Sequence, residues 1–161
     1  MPEVVSNTTP LLTLMGIGAL ELLQQLYGEV GIPQGVWEEI QQGKDKSIYQ
    51  DVSQLDWVQI QAVSNREALA YLHAELDKGE AETLVLAREI EARLVLIDEK
   101  AARRVADQLG LTYTGSLGVL LRAKAQGLIP AVKPLIDQMR SNGIWISDTL
   151  YTHILQQANE A

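Results

Sequence analysis

The stretch DKGEAETLVLAREIEARLVLIDEKAARR, Asp77–Arg104, decides the fold predicted for this chain of 161 residues. It contains a helical segment, a short turn, the apolar run LVLI at 94–97 and a second helical segment. A short, apolar and partly β-branched run is typical of a strand covered on both faces, as in a parallel sheet. The run ends abruptly at Asp98 and Glu99. Because open α/β sheets bind ligands outside the carboxyl ends of their strands, we expect the functional site at this edge.

Strand-like and helical segments alternate along the rest of the chain. Short strands are predicted at about 3–6, 30–32, 57–60, 94–97 and 111–114. Such alternation favours right-handed crossovers and a parallel sheet. We therefore expect a three-layer α/β/α architecture with a central, mostly parallel sheet of four to five strands. Residues 1–161 are predicted to form a single domain, with C-terminal helices at about 130–158 packed on it.

The composition excludes several classes of protein. A chain that is 47% hydrophobic and 21% charged is globular rather than disordered, and the lack of cysteine rules out disulfides and thiolate metal sites. The net charge of −8 argues against a broad basic surface that binds nucleic acid through many phosphates. The N-terminal MPEVVSNTTP has no basic segment of a signal peptide, and no apolar stretch reaches the roughly 20 residues of a membrane span. We expect a cytoplasmic protein.

Polar side chains from distant parts of the sequence are predicted to meet at one edge of the sheet. Asn7 follows the first strand, Asp98 the fourth, and the turn 114–116 the last. Parallel strands point their carboxyl ends to the same edge, so these groups should converge there. Glu39 lies on a helix and reaches the edge only if that helix packs beside the first strand. Otherwise Glu38 and Glu39 form an ordinary solvated helix face.

Most of these polar residues also have a simpler structural explanation. Asn7 is among the best N-cap residues for the helix that follows it. Glu80 and Glu82 lie in the first turn of a helix, where the helix dipole favours acids. Asp98 could cap the helix that begins at Lys100.

Several blocks of the sequence together resemble a PIN-like family of domains, DUF3368. The blocks fall in the order and spacing of that family over residues 3–158: VVSNTTPLLTL, IPQGVWEEI, KGEAETLVLA, LVLIDEKAARRVADQLGL, TGSLGVLLRAKAQGLI and VKPLIDQMRSNGIWIS. The resemblance implies a fold like that of 5′-nucleases and the activity of a metal-dependent ribonuclease. It also implies a set of carboxylates holding Mg²⁺ or Mn²⁺, hard cations that prefer oxygen ligands.

The resemblance assigns roles to particular positions of this chain. The family's first-strand aspartate falls on Asn7, its helix glutamate on Glu39 rather than Glu38, and its third acid on Glu82, with Glu80 close by. The fourth acid falls at Asp98 or Glu99, and the sequence leaves open which of the two points inward. The implied catalytic residues are Asp98, Glu39 and Glu82, and the implied metal ligands are Asn7, Glu39, Glu82, Asp98 and Glu99. Substrate contacts are expected from Thr8, Ser116, Lys100 and Arg103.

Three functions follow from these observations. The first is a metal-dependent endoribonuclease acting on RNA. The resemblance implies the toxin of a toxin–antitoxin pair, with an antitoxin protein as partner. The second is a catalytically impaired PIN-like module that binds nucleic acid or a protein, since Asn7 brings no charge to the metal site. The third, phosphoryl chemistry on a small molecule, ranks last because it needs an aspartate at the end of the first strand. A homodimer is expected, with apolar helices at 11–26 and the C-terminal helix as its surface.

Overall fold

The computed structural model describes residues 2–161. Its strands are β1 (Val4–Ser6), β2 (Val30–Pro33), β3 (Val58–Gln61), β4 (Leu94–Leu96) and β5 (Tyr113–Thr114). Its helices are α1 (Thr8–Gly16), α2 (Leu22–Tyr27), α3 (Gln34–Gln41), α4 (Arg66–Leu72), α5 (Lys78–Glu89), α6 (Lys100–Gln108), α7 (Ser116–Ala125), α8 (Lys133–Ser141) and α9 (Asp148–Gln157), with a short 3₁₀ turn at Val52–Gln54. Over residues 2–161, no helix combines the length and apolar character needed to cross a bilayer.

The five strands form one parallel sheet in the order β3-β2-β1-β4-β5. The central pair, β1 and β4, is in register from Val4 opposite Leu94 to Ser6 opposite Leu96. Their carboxyl ends therefore stop side by side. The predicted three-layer α/β/α fold with a parallel central sheet is confirmed.

The central strands are buried on both faces, as their continuous apolar sequence predicts. Successive side chains of a strand point to opposite faces, so Val4 and Leu96 join one core while Val5 and Val95 join the other. Helices α1–α3 and α7–α9 contribute to the first core, and α4–α6 to the second. Each fully buried Val or Leu side chain stabilises the fold by roughly 1.5–3 kcal/mol, so packing of helices on both faces stabilises the central strands.

The apolar residues of α1 and α2 face the protein's own core. Leu11, Leu14 and Leu23 are fully buried, and Leu12 is the large apolar side chain of α1 that is exposed. Most of the apolar surface expected from residues 11–26 for a homodimer is therefore already covered within the chain.

Candidate functional site

The end of β1 delivers Asn7 to the carboxyl edge of the sheet. The residue is 3% exposed, and its Nδ2 donates to Glu99 Oε2 over 3.2 Å. Its Oδ1 lies 3.5 Å from the hydroxyl of Thr83 on α5, which itself donates to the Gly79 carbonyl over 2.7 Å. Asn7 occupies the N-cap position of α1, but its side chain makes no capping hydrogen bond. The explanation of this side chain as a plain N-cap is therefore wrong, because it links β4 to α5 instead.

The two acids after β4 have different partners. Asp98 accepts hydrogen bonds from the backbone N–H and the Oγ of Ser116, each over 2.7 Å. It thus caps α7, and the alternative that it caps the helix beginning at Lys100 is wrong. Glu99 turns toward β1, where it accepts from Asn7 and from the hydroxyl of Thr9.

Arg103 is the cation nearest to this acid pair. Its Nε donates to the Ile97 carbonyl over 2.9 Å, and its guanidinium lies 5.3 Å from the centre of the Tyr113 ring. Its charge and the bonds from Ser116 act to lower the pKa of Asp98, yet burial outweighs them and the pKa is raised. Lys100, in the first turn of α6, is exposed to solvent.

Glu39 does reach the edge, because α3 packs near the residues that follow β1. Burial raises the pKa of Glu39, and the negative charges of Asp77 and Glu99 raise it further. The Thr8 hydroxyl and the Gly79 backbone amide act in the opposite direction. Thr8 Oγ1 is itself buried and, although it lies beside Glu39, makes no hydrogen bond of good geometry. A Cβ at position 79 would overlap Glu39 Oε1, so a larger residue there would require the Glu39 carboxyl group to move.

Glu80, on α5, lies among these acids. It forms a capping box with Asp77, accepting from the Asp77 N–H over 3.1 Å. Burial raises the pKa of Glu80, and the negative charges of Asp77, Glu99 and Glu39 add to the shift. Glu80 is therefore electrostatically coupled to the acids at the ends of α3 and β4.

Glu82 is directed elsewhere. It is 5% exposed, its Oε1 accepts from the Gly35 N–H over 3.0 Å, and its Oε2 lies 4.0 Å from Lys78 Nζ. Its carboxyl group thus meets the first turn of α3 rather than Asn7 or Asp98. In the structure, Glu80 lies among the other acids of the site, at the place that the family resemblance assigned to Glu82.

We call Glu39, Glu80, Asp98 and Glu99 the acidic cluster. Together with the Asn7 carbonyl oxygen, they supply the donor types that a hard divalent cation prefers. Over residues 2–161, however, no three acidic or histidine side chains converge closely enough to hold a metal ion as they stand. Asp98 and Glu99 are tied to protein donors, and Glu80 is tied to the Asp77 amide. The oxygen donors of these side chains suit such a cation, but the side chains do not form a closed ligand shell.

The sequence did not identify two residues of the site, Thr83 and Thr9. Thr83 contacts Asn7 because it lies one helical turn after Gly79, on the same face of α5. Thr9 holds Glu99 from the first turn of α1. Gly79, Glu80 and Thr83 are spaced so that they lie on one face of α5, and Glu82 lies outside that face. This spacing could have indicated from the sequence that Glu80, rather than Glu82, faces the site.

A parallel sheet in this strand order, with acids at its carboxyl edge, places the chain among doubly wound α/β domains with a polar site at that edge. The model of the DUF3368 family, described as a PIN domain, matches residues 3–160, and the chain belongs to this family. PIN domains are generally nucleases and typically use divalent metal ions. A search of curated proteins found no match to the chain.

Proposed function

We propose that the chain is a divalent-cation-dependent endoribonuclease that hydrolyses phosphodiester bonds of RNA. The observation that supports this proposal best is the acidic cluster itself. Glu39, Glu80 and Asp98 all have pKa values raised by burial, and the charge of Glu99 raises each of them further. Folding has gathered partly buried acids that repel one another, and a structural role alone does not require this arrangement.

A divalent cation would relieve this repulsion. Glu39, Glu80, Asp98 and Glu99 would hold it, with Mg²⁺ or Mn²⁺ the ions that suit oxygen donors. When bound, such a cation neutralises charge on the phosphodiester and lowers the pKa of water. The chain's own residues supply the negative charge, and the bonds from Ser116 and Thr9 orient Asp98 and Glu99. The buried Thr8 hydroxyl remains available as a donor beside Glu39.

Cations at the border of the cluster would contact the RNA backbone. Lys100 is exposed directly after the acid pair and is free to reach a phosphate from the first turn of α6. Arg103 is engaged with Ile97 and Tyr113, so we assign it to balancing the charge of Asp98 more than to contacting substrate. This local arrangement is compatible with the net charge of −8, because a bound cation reverses the sign of the potential at the site.

We infer a cytoplasmic toxin of a toxin–antitoxin pair, with RNA as substrate and an antitoxin protein as partner. The assembly we infer is a homodimer formed through the C-terminal helix, where Leu150 is exposed, because the apolar residues of 11–26 are mostly buried within the chain. Support for this setting comes from the resemblance to PIN domains and from the lack of cysteine.

A cleavage assay tests the proposal. End-labelled RNA is incubated with the purified protein in Mn²⁺, in Mg²⁺ and in EDTA, with Glu39→Gln and Asp98→Asn as matched variants. We expect cleavage that requires the cation and is abolished by either substitution. A folded wild-type protein that leaves RNA intact at every cation concentration would refute the nuclease proposal.

The second candidate is a non-catalytic PIN module, and one contact favours it. The Asn7 amide donates to Glu99, so Asn7 presents an N–H to an oxygen that a cation would need. Asn7→Asp decides between the two functions. If the wild type is inactive and Asn7→Asp cleaves RNA in Mn²⁺, the native chain is the non-catalytic module.

A further inference from the structure

Helices α3 and α5 are joined by two glutamates, each of which faces a glycine of the other helix. Glu82 of α5 accepts from the Gly35 N–H, while Glu39 of α3 lies against Gly79 of α5. The contact pairs run in opposite directions along the two helices, so the helices pack antiparallel through one turn of each. Glu39 belongs to the acidic cluster, and Glu82 does not.

We propose that Glu82 is a positioning residue, which fixes the start of α3 and thereby sets where Glu39 lies against α5. This inference rests on the proposed nuclease function for its catalytic consequence. Its structural content, that Glu82 controls the placement of Glu39, can be tested without any activity.

The first turn of α3 has no capping group of its own. The N-cap residue is Pro33, and no side chain caps the helix from that position. The first amides of a helix have no partner within the helix, and a buried amide without an acceptor destabilises the fold. Glu82 supplies the acceptor from another helix, so α3 depends on α5 for its first turn.

Glu82 lies close against Gly35. A Cβ at position 35 would lie 2.6 Å from Glu82 Oε2, closer than side-chain carbons approach an oxygen. Lys78 makes a second contact between the helices. Its Nζ pairs with Glu38 Oε2 over 3.0 Å and lies 4.0 Å from Glu82 Oε2. Glu38 is the neighbour of Glu39, so these two contacts hold both ends of the α3 segment that carries Glu39.

The test compares Glu82→Gln with Glu82→Ala. Glutamine keeps an oxygen that can accept from Gly35, whereas alanine removes the acceptor. In metal-free protein, the amide signals of Gly35 and Gly79 report on the two contacts by NMR. We expect Glu82→Ala to speed hydrogen exchange at Gly35 at least about tenfold and to shift the Gly79 signal, since Glu39 moves. Glu82→Gln should leave both signals close to wild type.

The cleavage assay carries the same comparison to function. Loss of a residue that orients a metal ligand typically costs about 10–100-fold in activity or metal affinity, which is the loss expected for Glu82→Ala. Glu82→Gln should retain cleavage within about threefold, whereas Glu39→Gln should not. Lys133→Ala is the control, because it removes a lysine that pairs with Asp137 on α8 and leaves the contacts between α3 and α5 in place.

Each result decides the proposal. If Glu82→Ala leaves the Gly79 signal unchanged, Glu82 does not position Glu39 and the proposal is wrong. If Glu82→Gln abolishes cleavage while both amide signals stay in place, Glu82 is itself a ligand and the proposal is again wrong. If the wild type does not cleave RNA, the nuclease function fails, and the NMR comparison still decides the role of Glu82. If Glu82→Ala does not fold, Gly35→Ala replaces it, since the added methyl group displaces the Glu82 carboxyl group.

Discussion

Glu39 and Glu82 offer a comparison within one pair of helices. Both are glutamates that lie against a glycine of the neighbouring helix, at the carboxyl edge of the sheet. Glu82 has a backbone N–H at 3.0 Å and a lysine at 4.0 Å. The hydrogen-bond partners of Glu39 do not offset its burial, so burial together with the charges of Asp77 and Glu99 raises its pKa. The acid that is well satisfied has a structural role, and the acid that is poorly satisfied is the one available to bind a ligand.

The largest effect should come from neutralising Glu39. Glu39→Gln removes one negative charge from the acidic cluster without changing its size, so we expect cation-dependent RNA cleavage to fall by at least about a hundredfold. Cleavage rates in Mn²⁺ at saturating RNA measure this loss. Circular dichroism of the same preparation confirms that the fold is intact. An active Glu39→Gln protein would remove Glu39 from the site.

Glu82→Ala should differ from Glu39→Gln in lowering the stability of the fold as well as cleavage. The substitution leaves the Gly35 N–H buried without an acceptor, which lowers the free energy of unfolding by about 1–3 kcal/mol. Urea unfolding in EDTA measures the change, with Glu39→Gln as the matched variant. Because Glu39 is repelled by its neighbours, Glu39→Gln should be at least as stable as the wild type. Equal destabilisation by the two substitutions would show that the comparison is mistaken.

Gly79→Ala should displace Glu39 from the opposite side. The added Cβ would overlap Glu39 Oε1, so we expect cleavage to fall about tenfold. Alanine favours a helix over glycine by roughly 0.5–1 kcal/mol, which offsets part of any loss in stability. Gly43→Ala is the control, because a Cβ there meets its neighbours at ordinary distances of 3.6 Å or more. Full activity of Gly79→Ala would mean that the Glu39–Gly79 contact is not needed.

The smallest effect is a dependence of stability on pH. The pKa of Glu39 is raised in the folded chain, first by burial, so the folded state holds more protons than the unfolded state between the ordinary and the raised values. The stability contributed by this group is complete below its ordinary pKa of about 4.3 and is lost as pH rises through the raised value. Glu39→Gln should therefore gain stability relative to the wild type as pH rises from about 4 to 7 in EDTA. A constant difference across that range would contradict the pKa shift.

The fold followed from local sequence more completely than the site did. The run at 94–97 predicted a strand covered on both faces, and β4 has Leu96 in one core and Val95 in the other. Periodicity is a property of neighbouring residues, so it can be read along the chain. The last strand is shorter than the predicted segment 111–114, because only Tyr113 and Thr114 pair with β4.

The orientation of individual acids could not be read from the sequence. Glu80 and Glu82 are two residues apart in the first turn of α5, and both fit a helix start. Only the packing of α3 against α5 directs Glu82 toward Gly35 and leaves Glu80 among the other acids. In the same way, the hydrogen bonds of Ser116 and Thr9 separate the roles of Asp98 and Glu99.

The sequence by itself determined the order of strands and helices, the family and the edge of the sheet at which polar groups gather. The succession of elements and the edge follow from local periodicity and from the shared direction of parallel strands, whereas the family follows from the sequence blocks that resemble it. The tertiary structure alone decided which carboxyl groups face one another and which are satisfied by a backbone amide. The physical reason is that desolvation and hydrogen bonding depend on neighbours brought from distant parts of the chain, such as Gly35 for Glu82 and Asn7 for Glu99.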